Sequence, residues 1–180
     1  MVVDMPHNTY RNPKEALKNA KKIILKTKCD AVKLEGGKKI YKIVKTLIKN
    51  KIPVMGHLGI LPQSDKNFKS KGKKTLERNK ILNDAKLLES AGVFSLVLEC
   101  VETSLSKIVT EKINIPTIGI GSSSNCDGQI LVSDDLIGLN LIDVKFLKKY
   151  ANIRKEISKA VSNYSKDVRS KKFPLKKHSY

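Results

Sequence analysis

A lysine and a glutamate lie two residues apart in an apolar run, at a spacing that places both side chains on one face of a strand. Lys33 and Glu35 belong to the run Ala31–Glu35, which ends at Gly36 and Gly37. Such a run predicts a buried strand, whose residues two apart point in the same direction. Burying a charge costs free energy unless it meets a partner, a metal or a bound anion. The pair therefore predicts a functional site.

Further polar residues follow other predicted strands and could complete this site. Asp4 and Glu99 each end a different strand, and His57 lies near the end of another. Two carboxylates and water suit Mg²⁺, which keeps open positions for a substrate. The cation could chelate a 2-oxo acid and acidify its adjacent C–H, so that a third carboxylate acts as general base and a lysine stabilises the enolate. In the alternative interpretation, Asp4 and Glu99 merely cap strand ends.

The elements that would position these residues alternate along the chain. Asn12 predicts a helix N-cap and Pro13 a first helical position. Apolar runs predict strands, and apolar residues at helical spacing predict helices. The predicted strands after the one that ends at Asp4 cover 31–35, 52–58, 94–99, 116–121 and 128–132. The predicted helices cover 12–28, 39–50, 75–92, 104–112 and the segment from 143 to 180, with Asp134 and Asp135 as a further helix start.

This alternation predicts a parallel α/β architecture. The polar residues follow the carboxyl ends of the strands, where a β/α barrel places its chemistry. A doubly wound open sheet also binds ligands there, but its phosphate-binding G-x-G-x-x-G motif is absent from the sequence. The polar loop over residues 61–74 is long enough that function or disorder explains it better than a plain connection.

The formal net charge of +19 raises the possibility of a nucleic-acid partner. Arginine, which reads bases and phosphates in a bidentate manner, occurs at only four positions, so 32 of the 36 basic residues are lysine. Aromatic residues are few and are not interleaved with the charges, as base stacking would require. We therefore interpret the lysines as solvated helix faces and expect no nucleic-acid partner.

Cysteine usage and hydropathy favour a cytoplasmic protein. Cys29, Cys100 and Cys126 are odd in number and widely spaced, unlike a disulfide framework or a zinc site. No apolar run approaches the length of a membrane span, and the first residues lack the basic and apolar regions of a signal peptide. We expect no membrane partner.

Six short motifs, taken in order, closely resemble the ketopantoate (3-methyl-2-oxobutanoate) hydroxymethyltransferase family. No single motif is decisive, but their order across residues 3–132 is specific. The motifs are Val3-Asp4-Met5-Pro6, Val32-Lys33-Leu34-Glu35-Gly36-Gly37, Gly56-His57-Leu58-Gly59-Ile60-Leu61-Pro62-Gln63-Ser64, Leu98-Glu99-Cys100-Val101, Ile115-Pro116-Thr117-Ile118-Gly119-Ile120-Gly121 and Asp127-Gly128-Gln129-Ile130-Leu131-Val132.

The resemblance implies a (β/α)8 TIM-type barrel of the phosphoenolpyruvate-binding superfamily. It implies transfer of a hydroxymethyl group from 5,10-methylenetetrahydrofolate to 3-methyl-2-oxobutanoate, the first committed step toward pantothenate, with Mg²⁺ and a large homo-oligomer. By matched position, Asp4 binds Mg²⁺ and substrate, Glu35 is a second metal ligand, Lys33 binds substrate and Glu99 accepts the proton. His57 matches a histidine that lines the site, and a structural role at the barrel rim is equally compatible with it.

The sequence also departs from the family. Nothing in it matches an earlier strand that ends in Asp-Ser and supplies another metal ligand, so roughly the first two strands are missing. We expect a single partial barrel domain over 1–180 with a helical segment at 143–180, from a fragment, a late start or a truncated gene, and activity of this chain alone is doubtful. A Mg²⁺-dependent 2-oxo-acid carbon–carbon lyase and a non-catalytic remnant stay open as alternatives.

Overall fold

The computed structural model describes residues 1–65, 69–142 and 144–180 of the chain. The chain divides into two compact units, Met1–Ile130 and Leu131–Tyr180. The first unit contains every residue that the sequence predicts for the site, so the fold is described mainly for that unit. The prediction of one domain over 1–180 stays a prediction.

Six parallel strands form one sheet in the first unit. They pair in the order β1-β2-β3-β4-β5-β6, so each strand has its neighbours in sequence beside it. The strands are β1 (Val2–Asp4), β2 (Ala31–Glu35), β3 (Val54–Gly59), β4 (Ser95–Glu99), β5 (Thr117–Ile120) and β6 (Gly128–Gln129).

Helices connect most of these strands and pack on one another along the sheet. Those of the first unit are α1 (Pro13–Thr27), α2 (Tyr41–Lys49), α3 (Thr75–Ala91) and α4 (Thr103–Lys112), and a short 3₁₀ turn, Lys38–Ile40, precedes α2. The second unit contains α5 (Ser133–Leu136), α6 (Ile153–Arg169) and a 3₁₀ turn, Lys176–His178.

The strand order identifies the architecture as a partial β/α barrel. A doubly wound sheet reverses its strand order at a switch point, whereas here each parallel strand adds on the same side of the one before it. Sequential addition of parallel strands is the topology of a (β/α)8 barrel, of which six strands are present in the described residues. The predicted fold class is confirmed.

Local sequence explains why the first helix begins and ends where it does. The Asn12 side chain accepts a hydrogen bond of 2.9 Å from the Glu15 N–H, and Pro13 occupies the first turn, where its missing N–H costs nothing. Lys28 ends the helix in a left-handed conformation. Ala16 and Ala20 on its inner face are fully buried in the core between the helices and the sheet.

The predicted elements are correct in type, and several differ in extent. The strand predicted over 52–58 begins at Val54, and the strand predicted over 128–132 pairs only at Gly128–Gln129. The helix expected from 143 begins at Ile153, because the Asn152 side chain caps it by accepting from the Lys155 N–H at 3.1 Å. Part of the loop 61–74 lies outside the described residues, as does Asp143.

The second unit is organised around α6. Its apolar residues recur on one side of the helix and are exposed in the unit as described, among them Ile157, Val161 and Tyr164. The Tyr164 ring contacts Phe173 edge to face, with ring centroids 5.6 Å apart. Among the described residues, no helix is both long and apolar enough to cross a membrane.

Candidate active site

The register of the parallel strands brings the predicted site residues to one edge of the sheet. Asp4 on β1 is paired with Lys33 on β2, and Glu35 is paired with His57 on β3. Glu99 ends β4 opposite Gly59. All five side chains therefore follow the carboxyl ends of neighbouring strands, where barrel enzymes carry their catalytic groups.

Lys33 connects a carboxylate to an imidazole. Its Nζ lies 2.7 Å from Oδ1 of Asp4 and 3.1 Å from Nδ1 of His57. An ammonium can only donate hydrogen bonds, so Nδ1 of His57 is the acceptor and Nε2 carries the ring proton. Asp4 is more open than its partners, with 54% of its side chain exposed, against 18% for Lys33.

His57 passes this chain of polar contacts on to Glu99. Its Nε2 makes a hydrogen bond of 3.0 Å with the Ile60 carbonyl oxygen and lies 3.3 Å from Oε2 of Glu99. The imidazole is only 3% exposed. Both ring nitrogens have a polar partner, and the ring lies between the Lys33 ammonium and the Glu99 carboxylate.

Gly59 allows Glu99 to approach this histidine. Gly59 has a φ of +99°, which favours glycine, and a Cβ built on it would lie 2.0 Å from the Glu99 carbonyl oxygen. The next residue, Ile60, donates its N–H to that same carbonyl at 2.9 Å. Any side chain at position 59 would therefore push β3 away from the end of β4.

Glu35 is the most deeply buried carboxylate of the site. The residue is 7% exposed, and its Oε2 accepts a hydrogen bond of 3.1 Å from the Gln63 N–H. Burial raises the pKa of Glu35, the Gln63 N–H and the Lys33 charge oppose that rise, and the Asp4 charge adds to it. Glu35 is thus a carboxylate in a place where its own negative charge is poorly compensated.

Two residues of this site lie in loops and were missed by sequence reasoning. The Tyr10 phenol faces the backbone of Glu35, and burial raises its pKa, with the charges of Glu35 and Asp4 adding to that rise. Gln63 binds Glu35 through its backbone. Strand periodicity could not have found either residue, because both lie in loops. The only indication in the sequence was that Gln63 belongs to one of the six motifs that resemble the family.

The carboxylates suit a hard divalent cation, although they do not complete its ligand shell. No cluster of three or more His, Cys, Asp or Glu side chains that could hold a metal occurs in residues 1–65, 69–142 and 144–180. Asp4 and Glu35 nevertheless carry carboxylate oxygens, the atom type that Mg²⁺ prefers as a ligand. Each raises the electrostatic cost of the other's charge, and a bound cation would relieve that cost.

The sheet order and this cluster of acid, lysine and histidine define an enzyme of the β/α-barrel class. A family model described as ketopantoate hydroxymethyltransferase matches residues 1–176. The chain belongs to the ketopantoate hydroxymethyltransferase family. The predicted resemblance is confirmed.

Curated relatives named 3-methyl-2-oxobutanoate hydroxymethyltransferase match almost the whole chain. The Pelagibacter ubique protein is 69% identical over 180 residues, which is all of this chain and 70% of that relative. The Pyrobaculum aerophilum protein is 48% identical over 182 residues, covering 99% of this chain and 69% of the relative. A dihydrodipicolinate synthase variant of known structure, at 15% identity, covers 66% of this chain and 42% of its own with a TM-score of 0.46, which adds nothing to the fold assignment.

Proposed function

We propose that this chain belongs to an enzyme that transfers a hydroxymethyl group, and that its side chains carry out the proton transfer that starts the reaction. The acceptor is 3-methyl-2-oxobutanoate, the one-carbon donor is 5,10-methylenetetrahydrofolate and the product is 2-dehydropantoate. The observation that carries the proposal is the continuous chain of contacts from Asp4 through Lys33 and His57 to Glu99 at the carboxyl edge of the sheet. Membership of a family with this named activity supports it.

Glu99 is the proposed general base. Its carboxylate takes the proton from C3 of the oxo acid, and the electron pair of that C–H bond moves toward the ketone oxygen to form an enolate. The His57 ring, whose Nε2 is bonded to the Ile60 carbonyl, lies 3.3 Å from one carboxylate oxygen of Glu99 and limits where the base can move, which leaves the other oxygen for the substrate. The Glu99 side chain is partly open, as a group that meets a substrate must be.

Lys33 is the proposed partner of the developing negative charge. The ammonium is held between Asp4 and His57 and is partly exposed, so it can reach a bound oxo acid without a large movement. A positioned cation next to an enolate oxygen stabilises the charge that forms in the transition state. Asp4 keeps the lysine in place and is itself proposed to contact the substrate.

Asp4 and Glu35 are the proposed ligands of Mg²⁺. Their carboxylate oxygens and the raised pKa of Glu35 fit a site that gains from a bound cation. When bound, the cation would polarise the oxo acid and make its C3–H more acidic. The proton transfer itself is assigned to Glu99, and Asp4 and His57 hold the Lys33 ammonium in position.

We also propose a cytoplasmic location and a homo-oligomer. Cys29, Cys100 and Cys126 are all free in the described structure, which suits a reducing compartment. The exposed apolar face of α6 suits a protein that associates with copies of itself.

The experiment that tests the proposed function measures product formation. The completed enzyme for this test is this chain joined to the part of the Pelagibacter ubique relative that it does not span. We expect 2-dehydropantoate to form only when both the oxo acid and 5,10-methylenetetrahydrofolate are present. Cleavage of a 2-oxo acid without folate would contradict the proposal and favour a carbon–carbon lyase.

A further inference from the structure

A buried oxygen next to Glu35 has no partner. The side-chain carbonyl oxygen of Gln63, Oε1, is buried and accepts no hydrogen bond in the described part of the chain. Leaving a buried acceptor unpaired costs free energy, because the group has lost its hydrogen bonds to water. Native proteins rarely retain such a group without a reason, and a missing ligand or ion is one of the established reasons.

The loop holds Gln63 firmly at the site. The Gln63 N–H donates to Oε2 of Glu35 at 3.1 Å. Two residues further on, Asp65 accepts from the Leu61 N–H at 3.2 Å and pairs with Lys71 Nζ at 3.1 Å, which closes the loop on itself. The unpaired oxygen therefore belongs to a residue whose backbone is fixed against the buried carboxylate.

We propose that Gln63 is an additional oxygen group of the cation site that Asp4 and Glu35 begin. An amide carbonyl is an accepted ligand type for hard divalent cations, either directly or through a water molecule. It adds an oxygen without adding a third negative charge. This inference rests on the proposed function, because it assumes that Glu35 holds the cation.

The chemistry of the acceptor substrate favours a cation as the partner. The anion of 3-methyl-2-oxobutanoate carries no N–H or O–H group, so it has nothing to donate to the Gln63 oxygen. The folate does carry N–H groups, and a titration with Mn²⁺ in the absence of folate distinguishes these two partners. A divalent cation and its water both satisfy a carbonyl acceptor. A cation held by Glu35 would also satisfy the unpaired Gln63 oxygen, because the Gln63 N–H is bonded to the Glu35 carboxylate.

The test is a titration of the completed enzyme with Mn²⁺, followed by electron paramagnetic resonance of the free ion. We expect Gln63→Leu to weaken Mn²⁺ binding about tenfold or more, the size typical for loss of a supporting group in a metal site. Gln63→Glu keeps an oxygen at the same place and should bind Mn²⁺ at least as tightly as the wild type. Thermal unfolding without Mn²⁺ should leave both variants folded, since no existing side-chain hydrogen bond is lost.

Ser95→Ala is the matched control. The Ser95 Oγ is the other buried atom without a partner in the described residues, and it lies at the amino end of β4, away from Glu99. Its removal should leave Mn²⁺ affinity unchanged. Wild-type affinity in Gln63→Leu, or equal weakening in Gln63→Leu and Gln63→Glu, would overturn the inference. If Glu35→Ala also binds Mn²⁺ like the wild type, the proposed metal ligand itself is wrong, which is a separate failure.

Discussion

The Nζ of Lys33 lies 3.1 Å from Nδ1 of His57, and this contact fixes the proton of the imidazole on its other nitrogen. The Nε2–H thereby donates to the Ile60 carbonyl, and Oε2 of Glu99 lies 3.3 Å from the same nitrogen. The lysine that is proposed to bind the oxo acid and the carboxylate that is proposed to take its proton are thus joined through one buried ring. A substitution of Lys33 or of Glu99 should therefore alter the surroundings of the other residue.

Two substitutions of His57 should distinguish the effect of its contact with Lys33 from the effect of its contact with Glu99. Gln places an amide near the Nε2 position and can still donate toward Glu99, but it leaves Lys33 without its second partner. We expect His57→Gln to lower kcat about tenfold and His57→Leu about 100-fold, within the usual range for groups that support proton transfer. Steady-state kinetics of the completed enzyme would measure both. A wild-type kcat in His57→Leu would show that the ring is only structural.

Glu35 should make the folded chain less stable as the pH rises. Because burial raises its pKa, the folded chain holds the proton more tightly than the unfolded chain. Stability therefore falls from the ordinary carboxyl pKa up to the raised value and stays lower above it. Glu35→Gln should increase the free energy of unfolding at pH 8 by about 1 kcal/mol, as stabilising changes at functional sites commonly do, and less at pH 4.

Urea unfolding without divalent cations, at both pH values, measures this effect. Glu15 provides a control of opposite sign, because its hydrogen bond with Arg11 lowers the pKa of Glu15. Glu15→Gln should therefore not stabilise the chain at pH 8. A Glu35→Gln variant less stable than the wild type at pH 8 would mean that the carboxylate is well compensated.

The sequence predicted the strands and their charged ends well, because both depend on local patterns. Lys33 and Glu35 share a strand face, and the structure places their strand beside those of Asp4 and His57 at one edge. The roles of Gln63 and Tyr10 depend on how loops fold back over the sheet, which no periodicity encodes. The pairing of β6 ends at Gln129, although the apolar residues Ile130 to Val132 continue the pattern, because a partner strand and not hydropathy decides where pairing stops.

The turn after Glu35 depends on a distant aspartate that no local pattern in the sequence indicates. Asp84 on α3 is buried and accepts from the Lys38 N–H at 2.9 Å, and Lys80 pairs with it at 2.6 Å. A Cβ on Gly37 would lie 2.1 Å from the Asp84 carboxyl carbon. The carboxylate therefore occupies the space that any other residue at position 37 would need.

We expect Asp84→Ala to lower the free energy of unfolding by about 2 kcal/mol, because it removes the buried carboxylate that accepts from the Lys38 N–H and pairs with Lys80. Gly37→Ala should cost a similar amount by overpacking, about 1–3 kcal/mol. Lys80→Ala is the control and should change stability by less than about 1 kcal/mol, since the Lys80 side chain is largely exposed. Denaturant unfolding measures all three, and a fully stable Gly37→Ala would contradict the close approach.

Glu102 should stabilise the start of α4. Its carboxylate accepts from the Ser104 hydroxyl and from the N–H groups of Ser104 and Leu105, and it pairs with Arg78 at 2.7 Å. The Ser104 contacts and Arg78 lower the pKa of Glu102 to about 2. Its contribution to stability is thus fully present above the ordinary carboxyl pKa and is lost as the pH falls from that value toward about 2.

Glu102→Ala should cost about 1 kcal/mol at pH 7, the usual effect of removing a helix N-cap. The difference from the wild type should shrink as the pH falls toward the lowered pKa. Glu111→Ala is the control, because its contact with Lys107 is 3.9 Å long and exposed, and it should be almost neutral. A pH-independent loss in Glu102→Ala would argue against a charged cap.

Deuterium exchange at C3 of 3-methyl-2-oxobutanoate tests the central claim most directly, because it observes the proton transfer without the folate. In the completed enzyme, followed by NMR in D₂O with Mg²⁺, we expect exchange that Glu99→Gln abolishes and Glu35→Ala strongly reduces. Glu111→Gln should exchange like the wild type. Exchange at the wild-type rate in Glu99→Gln would contradict the assignment of Glu99 as the base.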